Sequence, residues 1–421
     1  MDTIVNKSDH FWLRVALYAV SLSLLIWSYA LVDPNFVLLP WRWTVQLQQW
    51  FWNWGAQRQL LAFLYVSITL SWLGIWALFW RFSKKATTSW RHWVGLLAPI
   101  VFIFLLGYNA LSHDIFNYLF NAKMVLFFHV NPHEKVALDF AYDPWVRFMH
   151  NIHTPAPYGY GWTGISLVPY VLGLGKFLPS YLFMKLWMAL GLTFYFSIVW
   201  WILQKENLPG KNRSWVLFAL NPLILIETVL NGHNDVWMMF PALLALGFAK
   251  HRTKSWQTLL LVVLLWIFSI SMKWATIIVF PILVGLWLEP LLVNLIQHPK
   301  WKAMIRWFGT TWSDWSGILL LLPLFTSRSQ WFHPWYLIWS LSFLPFMHWK
   351  WLKAVLLGLS VTSMWRYVPW MLNNLEYTPL VQQQMRWVTW SGALIGLFFW
   401  ILVEARRRRS FFRGRLRQGR K

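Results

Sequence analysis

The chain contains no cysteine, which excludes disulfides, thiolate metal sites and a cysteine nucleophile. Acid is scarce too: Asp and Glu number 14 against 37 Lys and Arg, and charged residues make up only 12% of the 421 positions. Such a chain has too little charge to coat a water-soluble domain of any size. What it has instead is apolar surface, with 58% hydrophobic and 20% aromatic residues, 37 of them Trp. Trp favours the headgroup boundary, where the ring is apolar and the indole N–H still finds water, so many helix ends at a membrane interface account for the count. The formal charge of +23 suggests nucleic acid. The basic residues, however, sit in short loops between apolar runs and in the tail from Arg406 to Lys421. That is the positive-inside pattern; the expected partner is membrane lipid, not nucleic acid, and the basic tail, residues 404–421, is expected in the cytoplasm against anionic lipid.

Apolar runs near the ~20 residues that cross a bilayer cover about 11–31, 60–80, 94–112, 163–178, 181–203, 214–230, 236–249, 256–271, 274–289, 316–326, 335–348, 352–369 and 387–403. Lipid cannot satisfy an open backbone, so all should be helices. The expected fold is all-α and polytopic, one transmembrane domain over residues 1–421 with roughly 11–13 spanning helices. The first run is longer than a signal-peptide core and reads as a retained span. Basic loops at 81–92, 205–213, 250–254, 300–306 and 350–353 are assigned to the cytoplasm. The stretch 112–162 then becomes a large external loop, and 163–203 must cross an odd number of times. The segment carrying Gly164, Gly173 and Gly175 is therefore expected to be short or re-entrant.

The external loop opens with a helical pattern in which Asp114, Asn117, Tyr118 and Asn121 fall at i, i+3, i+4 and i+7, opposite Phe116, Leu119 and Phe120. It predicts an interfacial helix lying flat on the membrane. Its polar stripe offers a carboxylate base and amide groups suited to sugar hydroxyls; the plainer alternative is Asp114 as an N-cap. Asn131-Pro132-His133-Glu134 reads as a turn. Tyr158 lies in an aromatic Pro/Gly segment suited to sugar stacking or to interface anchoring. Glu227, inside an apolar run, is a functional candidate because burying an unpaired charge is expensive. The following Asn231-Gly232-His233-Asn234-Asp235 turn could aim backbone N–H groups at a phosphate, or be an ordinary helix cap. Lys273, Arg328 and His333 with Trp335 and Tyr336 complete the external face. The two cations suit a lipid-borne phosphate, or else snorkel to headgroups.

At these residues the chain resembles the GT-C glycosyltransferases, in particular bacterial polyprenyl-phosphate-mannose-dependent mannosyltransferases. The resemblance runs from about Val94 to Val403. It is carried by Asp114 with Tyr118, Asn131-Pro132, Pro157-Tyr158-Gly159, Asn221-Pro222 with Glu227 and Gly232-His233-Asn234-Asp235, Met272-Lys273 with Pro281, and Pro334-Trp335-Tyr336-Leu337-Ile338-Trp339. It implies transfer of a hexose, mannose by analogy, from a polyprenyl-phosphate donor to an extracytoplasmic glycan or glycolipid, with inversion. By the same resemblance Asp114 is the catalytic base, with Lys273, Arg328 and the helix start at Asp235 stabilising the departing phosphate. His113, Asn117, Tyr118, Asn121, Tyr158, Glu227, His233, Asn234, His333, Trp335 and Tyr336 are expected to contact substrate. The implied location is the plasma (inner) membrane, with the site on the extracytoplasmic face.

Two features depart from the family pattern. Many relatives carry two acidic residues where this chain has His113-Asp114, so no metal or other cofactor is expected. His129 and His133 beside Glu134 offer metal ligands, but a turn with exposed imidazoles is the commoner use of such residues. The rival from another class is a polytopic transporter or lipid-linked-sugar flippase, which would show inverted repeats or paired broken helices; the sequence has no internal repeat. An envelope polymer ligase would place its large basic external loop late in the chain, whereas here the large loop is early.

Overall fold

A computed structural model describes residues 7–33, 35–36, 41–83, 89–206, 208–325 and 332–418. Among these residues there are helices and no strands. In chain order they are α1 (Lys7–Ser28), α2 (Arg42–Gly55), α3 (Arg58–Phe82), α4 (Trp90–Leu105), α5 (Asp114–Leu126), α6 (Tyr160–Leu172), α7 (Phe177–Glu206), α8 (Lys211–Ala219) and α9 (Pro222–Leu225). There follow α10 (Asp235–His251), α11 (Trp256–Met272), α12 (Phe280–Leu295), α13 (Pro299–Leu319), α14 (Leu337–Leu341), α15 (Lys350–Trp365), α16 (Tyr367–Leu372) and α17 (Pro379–Gln418). Five stretches, Phe11–Leu31, Arg58–Phe82, Phe177–Glu206, Trp274–Leu295 and Pro379–Arg408, are long and apolar enough to cross a membrane, and the bent pair α8 with 222–230 makes a sixth. The protein is an all-α polytopic membrane protein. The other apolar runs form shorter or broken helices such as α4 and α11.

The break in the sixth stretch has a local cause. Pro222 lacks an N–H and pushes the preceding residue out of helical geometry, and Asn221 sits at φ −62°, ψ 116° with its side chain accepting from the Leu223 amide. The chain bends by 45° and widens into a π-type turn over Ile226–Leu230. All five residues of that turn are buried, so the irregular backbone is covered by protein and not by lipid.

Several expectations are revised. The helix predicted to lie flat on the membrane, α5, is instead enclosed. Phe116, Leu119 and Phe120 are at most 2% exposed, and Phe116 stacks on Phe177 and Tyr181 of α7 at 6.1 and 5.8 Å. The helix with a bare amphipathic face is α2, which the apolar runs did not reveal; Trp41 just before it and Trp43, Trp50 and Trp52 within it are exposed. The basic stretch 300–306 lies in the start of α13, not in a loop, and of the run 316–326 the described residues form the end of α13 and a 3-10 turn at Leu322–Phe325. Residues 335–348 yield only the short α14 after a 3-10 turn. At 13 residues, α6 is about 20 Å long, shorter than the ~30 Å hydrocarbon layer. As far as Gln418 the basic tail continues α17, whose 40 residues extend about 60 Å.

Trp also has a second use. Trp27, Trp72 and Trp76 are buried, and their indoles donate to the carbonyls of Leu61, Leu220 and Val216 at 3.0, 3.2 and 2.9 Å. They fasten α1 to α3, and α3 to the end of α8. In α17 the small residue Gly392 allows the closest approach, because an added Cβ would stand 2.1 Å from Thr362 Oγ1 on α15. Gly392→Val is expected to force α15 and α17 apart at a cost of about 1–3 kcal/mol, read as a lowered thermal midpoint in detergent.

Candidate active site

The starts of α5, α6, α7 and α10 meet the end of α11 at one end of the bundle. The opposite end is tied by Glu206 of α7, which pairs with Lys250 and His251 of α10 at 2.7 and 3.2 Å. At the first end a cavity of about 230 Å³ is lined by Asp114, Asn117, Asn121, Lys135, His150, Asn151, Thr154, Tyr158 and neighbouring residues. Its volume is below the ~300–1,000 Å³ that encloses a drug-sized molecule, and Pro132, Ala137, Met149, Pro155, Ala156 and Pro157 complete the lining.

Asp114 opens α5, and its side chain is 21% exposed. Its Oδ2 accepts from the Tyr158 hydroxyl at 2.8 Å and lies 3.4 Å from His233 Nδ1. No hydrogen bond among the described residues engages Oδ1, so one carboxylate oxygen is held while the other is free. His233 Nε2 lies 3.3 Å from Glu227 Oε2. Glu227, fully buried, also accepts from Asn231 Nδ2 at 2.9 Å and the Tyr367 hydroxyl at 3.0 Å. An imidazole is thus suspended between two carboxylates, and Trp335 stacks on it at 3.6 Å.

The turn that presents His233 depends on Gly232, whose φ of +78° is left-handed and whose added Cβ would stand 3.0 Å from Ile115 Cδ1. Gly232→Ala is expected to cost about 1–2 kcal/mol, measurable as a lower unfolding temperature. Beneath the turn Lys185 of α7, fully buried, donates to the carbonyls of Val229 and Leu230 at 2.6 and 2.7 Å.

Electrostatics set the protonation of the trio. Burial pushes the Asp114 carboxyl up, but the close His233 and its charge, the Tyr158 hydroxyl and the Lys273 charge outweigh it. The group is held well below the usual carboxylate range. Burial opposes charge on His233, yet the close approach of Asp114 and Glu227 raises it to about 9. At neutral pH Asp114 is therefore ionised and His233 protonated. A raised imidazole stabilises the fold fully below its ordinary pKa of 6.5 and loses that contribution as pH rises through about 9. The depressed Asp114 carboxyl does the reverse, losing its contribution only on acidification. Activity that uses the trio is expected to fall above about pH 9, which a pH profile of kcat/KM checks.

The remaining candidates divide into those at the site and those beside it. Lys273 Nζ donates to Asp235 Oδ1 at 2.8 Å, and Trp339 Nε1 donates to the same oxygen at 2.6 Å, so Lys273 already has a counter-charge. Its ammonium also lies 5.4 Å from the Tyr158 ring centre. Asn117 and Asn121 line the cavity. Tyr118 does not; it is fully buried and packs edge-on against Tyr158 and Trp162 at 5.0 and 4.9 Å. His113 lies behind the lining, with Nδ1 2.7 Å from the Phe148 carbonyl and its ring stacked on His150 at 3.9 Å. Asn234 is buried at the N-cap of α10. His333 stacks on Trp335 at 4.3 Å, and Tyr336 packs on Trp339 at 4.8 Å. Arg328 lies outside the described residues.

The turn at Asn131 forms, with Asn131 Oδ1 accepting from the His133 amide at 3.0 Å. His133 Nε2 lies 2.9 Å from Thr163 Oγ1 and Glu134 accepts from Asn131, so these side chains do not converge. Among the described residues no group of three or more His, Asp or Glu side chains has metal-binding spacing. Tyr367, Lys185 and His150 escaped the sequence reading. Each lies far along the chain from what it touches, as Tyr367 does from Glu227; for Tyr367 and Lys185 a hydroxyl or an amine inside an apolar run was the available signal.

The fold is that of a polytopic membrane protein, with a cavity and a held carboxylate at one end. A family model described as alpha-(1->6)-mannopyranosyltransferase, N-terminal domain, matches residues 15–289, well over half of the chain. The protein belongs to this family of GT-C-like mannosyltransferases, and it is a membrane glycosyltransferase. A search of curated proteins gave no match, nor did one of solved structures. The matched span contains Asp114, Tyr158, Glu227, His233, Asp235 and Lys273; Trp335, Trp339 and Tyr367 follow it.

Proposed function

We propose that the protein transfers mannose from a polyprenyl-phosphate donor to a hydroxyl of an extracytoplasmic glycan or glycolipid, with Asp114 as general base and inversion at the anomeric carbon. One observation carries this reading: Asp114 has one oxygen held by the Tyr158 hydroxyl and close to His233 while its side chain borders a cavity of mixed polar and apolar lining. The acceptor hydroxyl attacks the anomeric carbon as the bond from that carbon to the phosphate oxygen breaks. Its proton passes to Asp114, and the electron pair leaves with the lipid phosphate. A carboxylate held so far below its usual range is a weak base, so it takes the proton late, when bond formation has made the hydroxyl acidic. His233, charged at neutral pH, orients the carboxylate and keeps it ionised. Asn117, Asn121 and the neutral His150, which burial holds down at about 4, offer donors and acceptors to a sugar.

The arrangement favours a multi-pass enzyme of the inner membrane, with the site on the extracytoplasmic side and the basic end of α17 in the cytoplasm. The test uses purified full-length protein with radiolabelled polyprenyl-phosphate-mannose and mannosyl acceptors. Labelled glycan together with free polyprenyl phosphate is the expected product. Movement of intact donor across a vesicle bilayer, with no bond cleaved, would replace this reading by the flippase.

A further inference from the structure

Two amides in the cavity at Asp114 have no partner. Asn117 and Asn121 line that cavity, yet they are only 9% and 8% exposed. No hydrogen bond among the described residues engages either side chain, and Asn117 Oδ1 is shielded from solvent. A carboxamide carries two donors and an acceptor oxygen, and enclosing one with none of them matched is costly unless another molecule completes it. Here two of them stand four residues apart, on one face of α5 and in one cavity. The opposite wall is the turn at 131–135 with the segment 149–158. Its backbone is held without them, by the Ala156 amide donating to the Pro132 carbonyl at 2.8 Å and the Leu138 amide donating to the Ile152 carbonyl at 2.9 Å. Neither amide is needed to close the fold.

Charge and reach narrow the ligand. Lys135, the one Lys or Arg of the lining, is exposed and so stands at the rim. The enclosed groups beyond Asp114 on α5 are neutral amides, which suit hydroxyls. With a rise of 1.5 Å per residue, Asn117 stands about 4–5 Å and Asn121 about 10 Å along the helix axis from Asp114. That row is longer than one pyranose ring.

We infer that Asn117 and Asn121 form an acceptor subsite two sugar units deep. With the attacking hydroxyl at the free Oδ1 of Asp114, Asn117 binds the sugar that carries it and Asn121 binds the next sugar along. The inference rests on the reading of Asp114 as the base that takes the acceptor's proton. The proposed donor has a single sugar that ends at its phosphate, whereas an acceptor glycan continues beyond the sugar that attacks. A wall running two helical turns away from the base follows the acceptor.

The test compares methyl mannoside with a methyl mannosyl disaccharide as acceptors, using the full-length protein and saturating labelled polyprenyl-phosphate-mannose. Wild type should favour the disaccharide by about tenfold in kcat/KM, the worth of one buried hydrogen bond. Asn117→Leu should raise KM for both acceptors by about tenfold. Asn121→Leu should raise it for the disaccharide alone and abolish the preference. KM for the donor should stay unchanged in both variants. Each Leu replaces an unmatched amide by an apolar group of similar size, so the thermal midpoint should not fall below that of wild type. If wild type transfers mannose and neither variant changes acceptor KM, the subsite fails and the proposed transfer stands. A raised donor KM with acceptor KM unchanged gives the amides to the donor and overturns the assignment, and a lowered midpoint with every KM unchanged makes them structural. Equal use of the two acceptors by wild type removes the second sugar unit. A wild type that cleaves no donor with either acceptor sinks the proposed function itself. Should the Leu variants not fold, Asn117→Ala and Asn121→Ala decide by the same split between acceptor and donor KM.

Discussion

Asp114→Asn is expected to reduce transfer by about 10²–10⁴-fold, the contribution of a positioned general base, while binding of the lipid donor persists. The reason lies in how little else changes. Asn keeps the shape of the side chain and one oxygen able to accept from the Tyr158 hydroxyl, which Asp114 holds at 2.8 Å. What disappears is the oxygen available for the acceptor's proton, together with the charge that faces His233 at 3.4 Å. Single-turnover assays with labelled donor, run beside donor-binding measurements, separate the two effects. Transfer at the wild-type rate would remove Asp114 from the chemistry. Loss of donor binding together with transfer would make it a binding residue and not a base.

The second large effect is expected at His233. Replacing it by Gln withdraws the cation that lies between Glu227, fully buried, and Asp114. Breaking a buried charged pair from one side costs about 3–5 kcal/mol, because the remaining charge is left without compensation. His233→Gln should therefore lower both the thermal midpoint and the rate, and the fall in activity above about pH 9 should vanish with the group that titrates there. Adding Glu227→Gln should restore much of the lost stability, since the carboxylate most deeply buried is then gone. A double-mutant cycle read by thermal unfolding measures that coupling. Strictly additive losses would show that His233 and Glu227 do not act as a pair.

Much of this protein is legible in its composition. Long apolar runs between basic loops can only be helices in lipid, and the runs at 60–80, 181–203 and 256–271 correspond to α3, α7 and α11. Asp114, Glu227, His233 and Lys273 were visible because polar groups in apolar surroundings are costly and therefore conspicuous. What was not visible is whether an apolar face meets lipid or protein. Amphipathic spacing is the same for both, and so α5 was predicted to lie on the membrane while α2, bare along one side, was missed.

The sequence alone determined the class of the protein, since no arrangement of this composition dissolves in water, and it determined which residue types carry the chemistry. The tertiary structure decided their partners. Lys273 answers to Asp235, and His233 stands between Asp114 and Glu227. Such pairings join side chains tens or hundreds of positions apart, as Tyr367 is joined to Glu227. Helical periodicity constrains neighbours three and four residues apart; only the packing of whole helices brings distant charges within a few ångströms.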